Sequence, residues 1–348
     1  MAEKKSAYAQ AGVNIDVKMD AVSAIKQMVA STKTQNVIGG IGSFGGLHRV
    51  PPGKDMILVA SSDGVGTKLK VAAMMNKHDT VGQDIVNHCV NDILVQGAKP
   101  LFFMDYVGAS KFDGVTFQQI VSGLCKACKE NNMALLGGET AEMPGLYPAN
   151  EYDLVGTIVG TVSRKRLVTG QSIRAGDVII GLPSGGLQTN GFSLARRVFF
   201  DLCQMSPQDK LPGTDQTIGD ALLTVHKSFL KPVGRLLDNK IKITGMAHIT
   251  GGGFQDNIPR VLPKAVTAEI DRTTWPVPTI FNFIERQGKV DHDEMYRVFN
   301  MGIGFVLIVP KTSLLRMKTV FKNMRQPWYQ IGVIRVRKPN WPQVIFSK

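Results

Sequence analysis

The chain of 348 residues contains 43% hydrophobic and 20% charged residues, which is an ordinary composition for a globular protein. Single hydrophobic cores seldom grow beyond about 250–300 residues, so we expect two domains. No apolar run approaches the ~18 residues of a membrane span, and the N-terminal residues lack the apolar core of a secretion signal. Four cysteines are too few for a disulfide framework in so long a chain. These features predict a cytoplasmic protein without membrane contact.

The net charge of +13 is unevenly distributed, with ten Lys or Arg and no Asp or Glu from Met295 to the C-terminus. These charges are spread through apparent strands and a helix, not gathered in one arm. Aromatic residues make up only 7% of the chain, so no platform for stacking bases is evident. The pattern favours attraction of anionic small molecules, or a simply solvated face, over a nucleic-acid partner.

The first glycine-rich stretch follows a predicted amphipathic helix at 16–30. The residues 38–47 (IGGIGSFGGL) place Gly40, Gly42 and Gly45 in a formal G-x-G-x-x-G pattern. The Pro-Pro-Gly at 51–53 leaves no room for the helix that a dinucleotide-binding fold requires after its glycines. We therefore predict a loop over 39–46 that closes over phosphates, with a plain surface loop as the alternative.

The central motif is SSDGVGTKLK at 61–70, between an apolar run at 56–60 and a predicted helix. The run is short and β-branched enough to be a buried strand. Gly64 and Gly66 allow the backbone to approach a ligand, and the helix N-terminus attracts an anion. Asp63 is suited to hold a divalent cation and Lys68 to reach a phosphate. The alternative is a strand–turn–helix with a solvated acid and lysine.

The next predicted helix, at 80–96, carries two distinct faces. Its polar face repeats at helical spacing and contains only short carboxylate, amide and imidazole groups. Such groups hold Mg²⁺ and position phosphates, whereas an exposed face usually carries Lys and Glu. We interpret the stripe as part of a site, with an exposed face as the alternative. The stripe consists of Asp84, Asn87, His88, Asn91 and Asp92.

Two further strands in the first half end in acids. The residues 101–109 predict a strand that carries Asp105, and the strand from Ala134 runs into Gly138 and Glu139. A strand followed by Gly-Gly-Glu can deliver a carboxylate to a metal ion, although a β-turn with solvated acids has the same sequence features. A basic run after the strand at 152–162 marks a domain junction. We therefore predict domains at 1–166 and 167–348.

The second half has two glycine-rich turns, at 183–192 and 248–254, each between a predicted strand and helix. Both offer backbone N–H groups and hydroxyls suited to an anion. The chain contains no Walker A motif, G-x-S-x-G, H-E-x-x-H or kinase H-R-D set, which argues against those enzyme classes. The residues alone therefore indicate a two-domain α/β protein that depends on a magnesium-bound nucleotide.

The order and content of these stretches resemble the phosphoribosylformylglycinamidine cyclo-ligase (aminoimidazole ribonucleotide synthetase) family of purine biosynthesis. The similarity begins at Tyr8–Asp16 and covers nearly the whole chain. It is carried by SSDGVGTKLK, KHDTVGQDIVNHCVNDILVQGAKPLFFMDY, LLGGETAEMPGLY, LPSGGLQTNGFSL, AHITGGGFQDNIPRVLP and EMYRVFNMGIG.

The resemblance implies a fold and a reaction. The expected fold is α/β (α+β) with two domains, in which the N-terminal domain binds ATP and pairs across a homodimer into a barrel-like interface. The expected C-terminal domain is an α/β sandwich that binds the substrate. The implied reaction uses ATP and Mg²⁺ to close the imidazole ring of aminoimidazole ribonucleotide from formylglycinamidine ribonucleotide. It proceeds through a phosphorylated imidate and releases ADP and phosphate.

The resemblance also assigns roles to the motif residues. The expected metal ligands are Asp63, Asp92 and Glu139. The expected nucleotide-binding residues are Gly40, Gly42, Gly45, Asp63, Gly64, Gly66, Thr67, Lys68, Asn91, Asp92, Gly138 and Glu139. The expected substrate-binding residues are Ser184, Thr189, Asn190, Thr250, Gly251 and Gly252, and the expected catalytic residues are Lys68, Asn190 and His248.

The chain departs from the family pattern at Gln188, where relatives commonly have His. If that His is catalytic in relatives, the role here is dispensable or falls to another group, such as His248 or His88. The rival interpretations within the same superfamily are selenophosphate synthetase, thiamine-phosphate kinase and the preceding synthase of the pathway. A basic nucleic-acid-binding protein is the alternative from a different class.

Overall fold

The computed structural model describes residues 37–38, 46–49, 55–111 and 114–347. The predicted helix at 16–30 lies outside these residues, as do Gly40, Gly42 and Gly45. Within the described part of the chain, no helix combines the length and the apolar character needed to cross a membrane.

The first sheet contains six strands in the order β1-β2-β3-β6-β4-β5. All neighbours are antiparallel except β4 and β5, which run parallel. The β-branched run predicted as a strand is the start of β3. The strands are β1 (Val37–Ile38), β2 (Gly46–Arg49), β3 (Met56–Gly64), β4 (Lys99–Ala109), β5 (Ala134–Glu142) and β6 (Tyr152–Ser163).

Three helices accompany this sheet: α1 (Lys68–Met75), α2 (Asp79–Leu94) and α3 (Gly114–Glu130). The apolar face predicted for α2 is fully buried against β3, β6 and α3. Glycines permit the close crossing of α2 and α3. A Cβ on Gly82 would lie 2.2 Å from the Ile120 carbonyl oxygen, and one on Gly123 would lie 2.0 Å from that of Asp79. The helix pair therefore fixes the position of α2 over the sheet.

The second sheet has the order β12-β9-β11-β7-β10-β8 and is antiparallel except for the pair β12 and β9. Strand β10 is buried at all seven positions because both of its faces are covered. The strands are β7 (Val178–Pro183), β8 (Gly245–His248), β9 (Val266–Ile270), β10 (Ile303–Val309), β11 (Tyr329–Val336) and β12 (Val344–Phe346).

The helices of the second half are mostly short. The helix predicted after the turn at 183–192 begins at Phe192 and continues from Arg197 to Leu202 as a π-helix. The α-helices are α4 (Phe192–Arg196), α5 (Ile218–Leu222), α6 (Leu230–Asp238), α7 (Gly253–Asn257), α8 (Thr279–Gly288), α9 (His292–Val298) and α10 (Leu314–Asn323). Single turns of 3₁₀-helix occur at Arg164–Arg166, Ile258–Val261 and Lys311–Ser313. The predicted α/β class is confirmed, whereas the domain boundary at 166/167 stays a prediction.

Candidate active site

Two acids from different elements meet where β3 ends above α2. The Asp63 carboxylate lies 2.9 Å from His88 Nε2, and Asp92 Oδ2 lies 3.6 Å from the same nitrogen. Ser61 on β3 donates a hydrogen bond of 3.0 Å to Asp92. The side chain of Asp63 is 46% exposed, whereas that of Asp92 is buried. The structure thus brings two of the three predicted metal ligands together, at an opening to solvent.

His88 lies between these carboxylates and is almost fully buried. Burial lowers the pKa of His88, but the negative charges of Asp63 and Asp92 outweigh that effect and raise it to about 9. The imidazole therefore carries a proton at neutral pH, and this positive charge balances the two acids. The protonated His88 ring is the cation that these two carboxylates stabilise.

The polar stripe of α2 is buried along its whole length and packs against the second half of the chain. The backbone at 224–229 is irregular, so its N–H and C=O groups need side-chain partners. Asp84 accepts the N–H of His226 at 2.6 Å, and Asn87 donates to the carbonyl of the same residue at 2.8 Å. Asn91 bonds the Lys227 carbonyl and the Phe229 N–H, both at 2.9 Å. The alternative of an exposed face is therefore wrong.

Lys68 occupies a different position from the predicted one. Its amine is fully buried, 2.7 Å from Asp84, and donates to the carbonyls of Gln188 and Thr224. These three acceptors fill its hydrogen-bonding capacity, so the amine is not presented to a phosphate in this arrangement. The amide of Asn91 is likewise occupied by backbone groups. Both residues hold the two halves of the chain together, and the predicted phosphate contacts of Lys68 and Asn91 do not fit this structure.

The two glycine-rich turns of the second half lie side by side. A Cβ on Gly251 would lie 3.2 Å from the Asn190 amide oxygen. The Asn300 amide holds the first turn through the carbonyls of Gly186 and Leu187 and accepts a hydrogen bond from Ser184 Oγ. The side chain of Asn257 holds the second turn by bonding the carbonyls of Thr250, Gly251 and Gly253. Asn300 and Asn257 therefore fix the shape of the predicted substrate cradle.

The first glycine-rich turn also contacts His88, which lies between the two acids. Thr189 Oγ1 lies 2.7 Å from His88 Nδ1, and Asn190 donates to this hydroxyl at 3.4 Å. Close by, Thr67 at the start of α1 shares a hydrogen bond of 3.1 Å with Ser193, which follows the same turn. The turn before Thr67 requires glycine at position 66, where φ is +71°. The central motif and the predicted substrate cradle thus form two adjoining walls of one candidate site.

Glu139 and Gly138 lie apart from this group. The register joins Asp63, Gly156, Asp105 and Gly138 in one row across four strands. Strands are spaced about 4.8 Å apart, so β5 lies about 14 Å from β3, beyond the reach of one ion shared by Asp63 and Glu139. Gly138 leaves room for Asp105, since a Cβ there would lie 2.5 Å from its carboxylate.

Comparison with known sequences decides the family. Two family models match the chain, AIR synthase related protein, N-terminal domain, at 45–162, and its C-terminal counterpart at 174–339. A phosphoribosylformylglycinamidine cyclo-ligase from Thermoanaerobacter sp. (strain X514) is 49% identical, covering 94% of this chain and 97% of that relative. One from Lawsonia intracellularis is 45% identical over 99% of both chains. The chain belongs to the phosphoribosylformylglycinamidine cyclo-ligase family. The predicted family and its enzyme class, a carbon–nitrogen ligase, are confirmed.

More distant solved structures share the fold of this cyclo-ligase. A structure described as AaThiL complexed with AMPPCP and TMP aligns with a TM-score of 0.64 at 14% identity, covering 96% of this chain and 95% of that one. The hydrogenase maturation protein HypE in complex with ATP aligns with a TM-score of 0.61 at 16% identity, covering 97% and 92%. At such low identity these likenesses show the fold alone.

Two residues of this candidate site were not predicted from the sequence. His226 lies in the irregular segment that α2 holds, with Nε2 3.0 Å from His248 Nε2, and no local pattern marks it. Arg260 lies close enough to Asp63 and Asp92 for their charges to act on its guanidinium. The basic residue in NIPR, shortly after the second glycine-rich turn, is the signal that could have pointed to Arg260.

Gln188, where the chain departs from the family pattern, has an unusual environment and an unusual backbone conformation. Its side chain is buried, and neither its amide nitrogen nor its amide oxygen has a hydrogen-bond partner among the described residues. The backbone at Gln188 has a φ of +65°, which only a few per cent of non-glycine residues adopt. This cyclo-ligase therefore holds an unpaired amide directly beside Thr189.

Proposed function

We propose that this protein closes the imidazole ring of aminoimidazole ribonucleotide from formylglycinamidine ribonucleotide at the expense of ATP. The formyl oxygen is phosphorylated to an imidate, a substrate nitrogen attacks that carbon, and phosphate leaves while ADP is released. The observation that carries the proposal is the 49% identity to a named cyclo-ligase over 94% of the chain. The adjoining walls of acids and glycine-rich turns support it, because this chemistry needs an anionic nucleotide and a phosphorylated substrate side by side.

The carboxylates of Asp63 and Asp92 are suited to bind the Mg²⁺ of a magnesium-bound nucleotide. Carboxylate oxygens are the ligands that Mg²⁺ prefers, and Asp63 is both exposed and close to Asp92. We assign Mg²⁺ to these two residues, where it would neutralise charge on the ATP phosphates. Gly64, Gly66 and Thr67 would bind the nucleotide on the same wall. Glu139 would serve a second ion, because it is too distant to share the first.

The second wall would bind the ribose phosphate and orient the substrate. Asn190, Thr250 and Gly251 lie at the point where the two turns meet. Arg260 is exposed and feels the charges of Asp63 and Asp92, so we assign it to an anionic group of the substrate or nucleotide. Ring closure is intramolecular, so holding the reacting atoms close together supplies much of the rate. Proton transfer by His248 is not part of the proposal, because both of its ring nitrogens face protein groups.

We also propose that the protein is a homodimer that pairs through its first sheet. Strands β4 and β5 expose the apolar side chains of Leu101, Met104 and Leu136, and a monomer seldom leaves several such groups on one sheet in water. Pairing of two such sheets would bury them. The predicted cytoplasmic location and the lack of a nucleic-acid partner stay predictions.

The test is ADP release from Mg-ATP with and without formylglycinamidine ribonucleotide, together with detection of the imidazole product. Asp63→Asn removes a charge from the proposed ion site, and Asp238→Asn is the control because Asp238 is exposed to a similar extent on α6. We expect substrate-dependent ADP matched by the imidazole product, a loss of at least about 100-fold in Asp63→Asn and no change in Asp238→Asn.

Each other outcome has a distinct meaning. ADP release without an imidazole product, but with turnover of thiamine monophosphate, would contradict the proposed reaction and keep the nucleotide site. Full activity in Asp63→Asn would remove the central motif from the chemistry.

A further inference from the structure

A cavity of about 510 Å³ lies between the two halves of the chain, away from the candidate active site. The first half contributes the start of β3 and the end of β6, and the second half contributes the end of α6 and the residues that follow it. Met56 lines the cavity at one end of β3, whereas Asp63 lies near the other end. Seven residues of extended strand span about 23 Å, so the two sites do not overlap.

The floor of this cavity is aliphatic, and no aromatic side chain occurs among the described residues that line it. Backbone hydrogen bonds hold its walls, from the Val168 N–H to the Gln96 carbonyl at 3.2 Å and from the Ile241 N–H to the Leu236 carbonyl at 3.0 Å. Pockets for small molecules are usually preformed and apolar, with volumes of about 300–1,000 Å³, so this cavity has the properties of such a pocket. The principal floor residues are Val162, Leu167, Val168, Leu237, Ile241 and Ile243.

The exposed part of the lining is positively charged. Its basic residues are Lys99, Lys165, Arg166, Lys240 and Lys242, and the described lining contains no acid. Lys99 pairs with Asp238, which lies outside the lining, at 3.4 Å. The other four form no ion pair within the described part of the chain. We call this space, with its aliphatic floor and its five basic residues, the basic cavity.

The charge and the floor of the basic cavity together indicate the chemistry of a ligand. Like charges around one cleft repel one another, and apolar walls strengthen the field that they produce. An anion in the cavity would relieve that repulsion. The aliphatic floor favours an apolar chain over a nucleobase, because bases are commonly held by stacking on aromatic side chains.

We propose that the basic cavity binds an amphipathic anion, in which an aliphatic chain ends in a carboxylate or a phosphate. The chain lies against the floor, and the charged end faces the basic side chains. Because the lining comes from both halves, the ligand binds only when they are docked and therefore stabilises their docking. The proposal does not rest on the proposed reaction, and its test needs no substrate.

The experiment is isothermal titration calorimetry of the full-length protein with hexanoate, octanoate and decanoate, each below the concentration at which it forms micelles. We expect one site per chain and an affinity that rises at least about threefold for every two carbons added, since full burial would give about 15-fold. Decyl phosphate should also bind, and neutral decanol should bind more weakly than decanoate. No binding of decanoate, or equal affinities along the series, would overturn the proposal. Binding of AMP without binding of decanoate would contradict it in favour of a nucleotide.

Charge-reversed variants locate the ligand. Lys165→Glu in the first half and Lys242→Glu in the second half should each weaken decanoate binding about three- to fivefold, because each replaces an attraction of the charged end by a repulsion. Lys231→Glu is the control, since Lys231 is also an exposed lysine but does not line the cavity. If neither lining variant weakens the binding of decanoate, or if Lys231→Glu weakens it equally, the ligand binds elsewhere and the proposal is wrong.

Discussion

At the scale of single residues, the Asp92 carboxylate connects both halves of the molecule. One oxygen accepts hydrogen bonds from His248 in the second half, and the other accepts from Ser61 on β3. A carboxylate bonded on both oxygens has a fixed orientation. Asp63, by contrast, remains half exposed at the mouth of the site. The two carboxylates therefore differ in exposure and mobility: Asp92 is held by both halves of the chain, whereas Asp63 is open to solvent.

The first prediction concerns the pH dependence of stability in metal-free protein. The pKa of His88 is about 9 in the folded state, against about 6.5 in the unfolded chain. The added stability is therefore complete below about pH 6.5 and is lost as the pH rises through about 9, in total about 3 kcal/mol. Urea unfolding of chelator-treated wild type and His88→Gln across this range measures the difference. An equally steep loss in His88→Gln would show that another group is responsible.

The second prediction concerns the unpaired amide of Gln188. Burying a polar group without a hydrogen bond costs about 1–3 kcal/mol, and methionine has a similar volume without these atoms. We expect Gln188→Met to raise the free energy of unfolding by about 1 kcal/mol in urea titrations. The exposed Gln208→Met is the control. A decrease in stability at position 188 would mean that the amide is hydrogen-bonded in solution.

At the scale of elements, α2 shows what could be predicted from sequence. The spacing of its apolar residues predicted the helix and the face that packs on the sheet. The polar stripe was correctly distinguished from a solvent-exposed face, because it lacks Lys and Glu. Its partner was not predictable, since the segment at 224–229 has no periodicity and lies more than a hundred residues away.

The contacts of Lys68 and His226 could not be predicted for the same reason, because their partners lie far away in the sequence. The DGVGTK motif indicates an anion site through its residue types, but the direction of the lysine depends on Asp84, which only the tertiary fold brings near. His226 becomes visible as a site residue only when α2 docks. Sequence patterns therefore predicted the strands and turns well, and the long-range pairings poorly.

The third prediction tests the docking of α2. Asn91→Ala removes the side-chain partner of the Lys227 carbonyl and that of the buried Phe229 N–H. Two unsatisfied groups cost about 2–6 kcal/mol, so we expect a loss of stability in that range by urea unfolding. Asn239→Ala is the control, because the Asn239 side chain is exposed and donates to the Arg235 carbonyl within its own helix end. Equal effects of the two substitutions would contradict the role assigned to the stripe.

At the scale of the whole molecule, the fourth prediction concerns assembly. Leu136 on β5 is 63% exposed, and burying an aspartate in its place across the proposed sheet-to-sheet interface is strongly unfavourable. We expect Leu136→Asp to shift the protein from dimer to monomer in analytical ultracentrifugation. Leu315→Asp on α10 is the control, since Leu315 is 76% exposed on the other half. A wild-type monomer, or a dimer unaffected by Leu136→Asp, would rule out this interface.

The buried polar stripe of α2 also bears on how the chain is made. A ribosome adds about 5–20 residues per second, so α2 waits for several seconds or longer before the segment at 224–229 emerges. During that interval the face that will be buried is exposed to water. An apolar face would attract other nascent chains, whereas amides, carboxylates and an imidazole remain hydrated at little cost. The same side chains that later hold the second half in place thus protect the unfinished polypeptide from aggregation.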